Sequence, residues 1–298
     1  MTQKIAFHAL DDTLPGAAAV GARARRLARM RAAGLPVPEA VALDFAGVRA
    51  LMEGAELPDL PAALGWPLAL RASAGDPAWG GPQAMLNVGL GAEARQALAA
   101  AHGPLAALEV ERRLIQSYGT RVAGLDAEDF ENLYYDHLKL EPEPGDAALA
   151  TIVAATRDFY EEEDAAPFPK AAEAQLHAAI RAIAREWHGP TARILRDAKG
   201  APADAGLGLI LQRMVFGLGE DSGAGAFQPV ESATGRPART GRFLPNAQGT
   251  DAQRGARTPH LISAEERQSA GQSLPSMEEM FPEVYAELLK CSTAITGL

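Results

Sequence analysis

The sequence predicts an α/β (α+β) protein in which a helical block separates two sheet-forming regions, and three observations carry that prediction. The apolar run WPLALRA at 66–72 reads as a buried strand. Residues 105–188 carry helical periodicity. From Gly206 the pattern turns to strict alternation, with Leu209, Leu211, Arg213 and Val215 against Ile210, Gln212, Met214 and Phe216. The 298 residues allow one large domain or two to three subdomains, and 47% hydrophobic with 22% charged residues is ordinary for a globular chain.

Taken in order, residues 17–33 read as one helix ended by Gly34, Pro36 and Pro38. Val20, Leu27 and Met30 share a face with Arg23, while Arg25 and Arg29 point away and Arg26 lies on the flank, as a solvated basic face would. Arg23 therefore either snorkels to water or meets an anion. The strand at 66–72 ends at Arg71, and the Gly- and Pro-rich stretch 73–83 is a loop. Helices follow at 92–101, 106–118, 126–138 and 146–161, the last two divided by a Pro-rich break at 141–145. An amphipathic helix at 170–187 places Leu176, Ile180, Ile183 and Trp187 on one stripe. Residues 206–217 are a long strand running into a glycine-rich turn at 219–225, with strands at 225–230 and from Arg242, and short connections favour antiparallel pairing. The stretch 263–276 is polar and irregular, and 277–291 is the last helix. The expected division is an N-terminal lobe over 1–104 completed by 170–205, a helical insertion over 105–169, and a sheet lobe over 206–298.

Composition excludes several functions. A net charge of −10 and a sequence pI of about 5.2 argue against general nucleic-acid binding. The single cysteine, Cys291, rules out a disulfide framework or a cysteine-rich zinc site and suits a reducing compartment. No apolar run reaches the length of a membrane helix and no signal peptide is apparent, so a cytoplasmic protein without a membrane partner is expected. The six histidines lack metal-ligand spacing, so no metal site is assigned. Two features point to an anion. Successive N–H groups in the 219–225 turn, with Ser222, Gly223 and Gly225 as donors, can surround phosphate oxygens, although hairpin turns use the same residues. Arg71 suits bidentate phosphate recognition or, equally, a structural carboxylate.

GLPVP at 34–38, RxSA with NVGL at 71–90, SYGTRVAGLD at 117–126, QRMVFG, EDSGAG and the ATG turn within 212–235, GRFLPNAQGTD and GARTP within 241–259, and MEEMFPEVYAELLK at 277–290 occur in one order. Together they resemble the N-terminal nucleotide-binding region of the pyruvate, phosphate dikinase family over nearly the whole chain. That resemblance implies the ATP-grasp fold, ATP and Mg²⁺ as cofactors, and phosphorylation of a histidine on a separate domain. The family's G-G-K-G-A-N-L reads Gly21-Ala22-Arg23-Ala24-Arg25-Arg26-Leu27, so its phosphate-binding lysine falls on Arg23, and Arg71 matches a phosphate-contacting arginine. Gln212, Asn246 and Gln248 are weaker ligand candidates.

The departures bear on activity. The S-M-P-G-M-M-D loop reads 77–83 PAWGGPQ, F-T-R-N-P reads 228–232 QPVES, and G-E-F-L reads 241–244 GRFL. The chain ends at Leu298, ahead of the D-I-E-F and Q-T-R strands that supply metal-binding carboxylates and further phosphate contacts in the family. Losing two charge-assisted hydrogen bonds weakens binding about 10²–10⁴-fold. The expectation is an ATP- or phosphate-binding protein, weakly active or inactive alone, with no catalytic residue assigned. Its rivals are a phosphotransferase subunit acting on a phosphohistidine-domain partner and an interaction module that no longer binds nucleotide. Arg23 and Arg71 are expected to converge across a cleft facing the glycine-lined hairpin.

Overall fold

The computed structural model describes residues 5–141, 143–164, 166–231, 233–249 and 257–298. Pro142 of the Pro-rich break, Ser232 of the 228–232 segment, and the 250–256 part of the GRFLPNAQGTD and GARTP motifs lie outside the described residues. The chain divides into two compact units, one comprising residues up to Ala32 with Val37–Met214, the other Ala33–Pro36 with Val215–Leu298.

The first unit is built on a five-stranded antiparallel sheet of β1 (Phe7–Ala9), β2 (Ala40–Leu43), β3 (Leu68–Ala74), β4 (Met85–Val88) and β5 (Leu207–Arg213), in the order β1-β2-β5-β3-β4. The central strand, β5, is buried along its length except at Arg213, which is why its sequence LGLILQR is nearly continuous in apolar residues up to Gln212. Around the sheet are α1 (Ala17–Val20), α2 (Ala22–Ala32), α3 (Phe45–Met52), α4 (Ala92–His102), α5 (Pro104–Tyr118), α6 (Ala127–Leu140), α7 (Asp146–Asp164), α8 (Ala172–His188) and α9 (Pro190–Asp197). The expected stripe of α8 is buried, with Trp187 fully so and its indole Nε1 donating to Ala205 O at 3.0 Å. Tyr118, Tyr160 and Phe168 meet edge to face, with centroids 5.2–6.0 Å apart, and join α5 to α7 and the segment before α8.

The second unit holds the antiparallel sheet β6 (Gly223–Val230), β7 (Pro237–Pro245) and β8 (His260–Leu261) with helices α10 (Ala264–Ala270), α11 (Met277–Met280) and α12 (Pro282–Thr296). Phe243, Ile262 and Tyr285 form its core, with Phe227, Met277, Phe281 and Leu288 packed around them. A capping box starts α11: Ser276 Oγ accepts from Glu279 N, and the Glu279 carboxylate accepts from Ser276 N at 2.7 Å. The structure is thus mixed helix and antiparallel sheet.

Several element readings are corrected. The helix expected over 17–33 is two helices, broken at Gly21, whose φ of +84° belongs to glycine. The strand expected at 66–72 runs over 68–74, so Arg71 stands in its middle rather than at its end, and the loop 73–83 begins later and includes a 3₁₀ turn at Pro77–Trp79. The strand expected over 206–217 stops at Arg213 and pairs with β2 and β3, not with the strand after it. Sequence proximity suggested a hairpin; the burial of both faces of β5 placed it at the centre of the earlier sheet. The last residues of the 219–225 turn belong to β6, the 263–276 stretch contains α10, and the last helix is split before Pro282, a residue suited to a helix's first turn.

Candidate anion site

Arg71 is the one residue of β3 that is not buried. It pairs across the sheet with Ile210, so Gln212, two residues further along β5, shares its face. The Arg71 Nη1 donates to Gln212 Oε1 at 3.0 Å, and Gln212 Nε2 donates to Pro38 O at 3.3 Å. Gln212 is only 6% exposed, so this pair of bonds fixes its amide and, through it, one edge of the guanidinium. Of the two partners left open for Arg71, the structural carboxylate is not what it meets: its partner is a neutral amide, which leaves the positive charge uncompensated.

Arg23 reaches the same place from α2. The chain at Gly21 lies so close to β3 that a Cβ there would sit 2.0 Å from Ser73 O and 2.4 Å from Ser73 Oγ. This approach lets Ala24 N donate to Ser73 Oγ at 3.1 Å, with Ser73 fully buried. It also brings the Arg23 Nη1 to Ala72 O, one residue along from Arg71. The buried side of this segment is Val20, Ala24 and Ala28 with Leu27 packed against them, so Val20 and Leu27 of the expected face do meet the core. Arg23, expected on the apolar side, is exposed beside that buried side.

The two guanidinium groups share a cavity of about 410 Å³ with a third, that of Arg26; the remaining walls include Ala72, Ala74, Pro77, Gly80 and Gln83. Loss of hydration, and then the neighbouring Arg23 charge, holds Arg71 below the usual arginine range; loss of hydration and Arg26 do the same to Arg23. In both the loss of hydration is the larger cause and the neighbouring like charge the smaller. Arg26 was read as part of a solvated face. It is exposed, but it stands at the cavity, in keeping with its place on the flank beside Arg23, whereas Arg25 points away and its Nη1 donates to Leu14 O at 2.8 Å. The wall at 77–83 is held by Arg121, which donates to Gln83 O at 2.7 Å and to Glu186 Oε2 at 2.6 Å. A larger cavity of about 600 Å³ shares Gly80, Gly81 and Pro82. Its cations are Arg196, stacked 3.7 Å over Trp187 and bonded to Trp187 O, and Lys199, and the carboxylate of Glu186 is among its walls, so it offers less to an anion than the Arg-lined one.

The other candidates fall in the second unit. Ser222 N donates to Gly219 O at 3.3 Å, and Ser222 O accepts from Asn246 N at 2.7 Å. Asn246, at φ +46°, uses its side-chain oxygen to accept from Gly219 N at 3.0 Å. Gly223 and Gly225 lie in β6, where an added Cβ would sit 2.7 Å from Leu244 O and 2.5 Å from Arg242 O, respectively. Close packing of β6 on β7 therefore demands these glycines. Ser222, Gly223 and Gly225 also line a pocket of about 260 Å³ walled by Phe227, Phe243 and Phe281, and Gln248 is partly buried nearby in sequence. Structure thus brings Arg23, Arg71 and Gln212 together in the first unit, and Ser222, Gly219 and Asn246 together in the second.

Magnesium, implied by the family resemblance, was tested against the donor set. Mg²⁺ requires oxygen donors, and protein sites supply carboxylates for it. Among the described residues, no carboxylate lines the Arg23–Arg26–Arg71 cavity and no group of three His, Cys, Asp or Glu side chains is placed to hold a metal. The residues present do not fit the ion. Among the described residues, no helix is long and apolar enough to cross a membrane.

Comparison with known proteins gives consistent matches. A pyruvate, phosphate dikinase of Rhizobium meliloti (strain 1021) is 35% identical over 218 residues, covering 71% of this chain and 24% of that protein. The chloroplastic pyruvate, phosphate dikinase of Mesembryanthemum crystallinum is 29% identical over 299 residues, covering 91% of this chain and 30% of its own length. That of Rickettsia prowazekii (strain Madrid E) is 34% identical over 212 residues, covering 68% of this chain and 23% of its length. The chain thus spans between about a quarter and a third of the curated relatives it matches. No family model matches it.

Proposed function

Because the chain belongs to a pyruvate, phosphate dikinase-like family, we propose that its first unit binds the phosphate groups of a nucleotide, ATP by family resemblance, in the cavity of Arg23, Arg26 and Arg71. The observation that carries this reading is the convergence of guanidinium groups from α2 and β3 on one cavity without a carboxylate among its walls. Like charges held together raise the energy of the ligand-free protein, and an anion relieves it. Arg71, anchored by Gln212, presents a fixed fork; Arg23 presents a second from the neighbouring element. In this reading the chain has the ATP-grasp arrangement and the protein acts in the cytoplasm.

The assignment is binding rather than turnover by this chain alone. Phosphoryl transfer depends on positioning and on neutralising charge on the transferred group. Cations for the second task are present, but no side chain at the cavity is suited to take a proton or hold a metal. Transfer to a histidine is therefore assigned to no residue of this cavity.

The test is a thermal-shift series with ATP on the wild type and on Arg71→Ala. A millimolar site at ten times its dissociation constant stabilises by about 1.4 kcal/mol, or roughly 2 °C for a chain of this size. The wild type is expected to show that shift and Arg71→Ala to lose it. A wild type that does not respond at millimolar ATP refutes the proposal, and an unchanged shift in the variant moves the site elsewhere.

A further inference from the structure

Three guanidinium groups at one cavity is more cationic charge than the resemblance requires. Arg23 occupies the position of the family's lysine, and Arg71 that of its arginine. Arg26 stands where the family motif has a neutral asparagine, so its charge is an addition of this chain. The counterpart is the missing acid. Protein sites that hold a nucleotide's Mg²⁺ usually add one or two carboxylates to the metal's phosphate and water ligands. Here the walls other than the arginines are small or apolar side chains and the amide Gln83.

Resting on the anion-site reading above, we infer that the cavity selects a di- or triphosphate free of its divalent metal, with Arg23, Arg26 and Arg71 supplying the neutralisation that Mg²⁺ supplies elsewhere. Two physical reasons favour the bare anion. Chelation removes two of the ligand's negative charges, which weakens its attraction to each guanidinium. The metal also occupies the same non-bridging oxygens that a guanidinium fork binds in pairs, so the two compete for one set of lone pairs. Arg26 has the strongest bearing on this choice. Among the described residues it makes no hydrogen bond or ion pair within the protein, and it faces Arg23, so its charge is available to the ligand.

Calorimetric titration with inorganic pyrophosphate decides the matter, run once in EDTA and once in excess MgCl₂ at matched ionic strength, with ATP as a parallel ligand. The expected result is affinity at least tenfold weaker with magnesium for both ligands. In Arg26→Gln that ratio should shrink towards threefold, because removing one cation penalises the more highly charged form more. Equal or tighter binding in magnesium overturns this inference and leaves the anion site standing. A ratio unchanged in Arg26→Gln overturns the role given to that residue. Absence of binding by either ligand in both buffers overturns the underlying reading instead.

Discussion

The contact between Gly21 and β3 decides whether Arg23 and Arg71 can share a cavity, so Gly21→Ala is the most informative single substitution. The residue sits at φ +84°, ψ 162°, a region occupied almost only by glycine, and an alanine there carries about 1–3 kcal/mol of backbone strain. Its methyl would lie 2.0 Å from Ser73 O, 2.4 Å from Ser73 C and 2.4 Å from Ser73 Oγ. Carbon atoms pack no closer than about 3 Å to such groups, so the two backbones must separate by roughly 1 Å. Ser73 is fully buried within β3 and cannot yield. Strain and overpacking together predict a loss of about 3–5 kcal/mol, or on the order of 10 °C in Tm. Separation also breaks the Ala24 N–Ser73 Oγ bond and draws Arg23 from Ala72 O, so the ATP-induced shift should disappear. Gly34→Ala is the control: φ is +75° there, but a Cβ meets open space, and strain alone, about 1 kcal/mol, is expected with ligand response intact. Thermal denaturation followed by circular dichroism, with and without ATP, reads both quantities. Wild-type stability in Gly21→Ala, or a retained ligand shift, would refute the reasoning.

Two further substitutions test the frame around the site. Gln212→Leu removes the amide that anchors Arg71 and bonds Pro38 O; stability should fall by about 1–2 kcal/mol and phosphate affinity about tenfold, measured by urea titration and calorimetry. Unaltered affinity would show that Arg71 needs no anchor. In the helical block, burial pushes the Glu109 carboxyl up, but hydrogen bonds and charges from Arg112 and Arg113 outweigh it and hold the group below its usual range. A depressed carboxylate contributes stability at neutral pH that is lost as pH falls through its folded value. Glu109→Gln should therefore be about 2 kcal/mol less stable than wild type at pH 7, with the gap narrowing as pH falls below the ordinary carboxylate range and closing beneath the depressed folded value. A gap that persists in acid would assign the loss to packing.

Much of this was legible in the sequence, for reasons that differ by element. The stripe Leu176–Ile180–Ile183–Trp187 is long and periodic, so it reads correctly without tertiary information. Arg71 was placed on a strand in an apolar run, and its conjunction with Arg23 followed from the family motif; its bond to Gln212 depends on strand register, which neither segment encodes alone. The break at Gly21 was missed because flanking alanines and arginines favour helix, and only the approach to Ser73 reveals why a glycine stands there. Arg26 lies three residues after Arg23 on α2 and is its neighbour on the helix surface, but the cavity beside them is made by β3 and the 77–83 segment, which the helix alone does not encode. Membership of β5 in the first sheet was hidden for a related reason: a strand more than 130 residues downstream of β3 in sequence becomes its neighbour only through the fold.

The claim on which the others rest is that Arg23 and Arg71 jointly hold a phosphate-bearing anion. Its most direct measurement is calorimetric titration of inorganic pyrophosphate, without added divalent ions, into the wild type and into an Arg23→Ala/Arg71→Ala double variant whose fold is checked by circular dichroism. Saturable binding by the wild type, and none by the folded double variant over the same range, is the predicted result. Equal heats from both proteins, or none from the wild type, would contradict it.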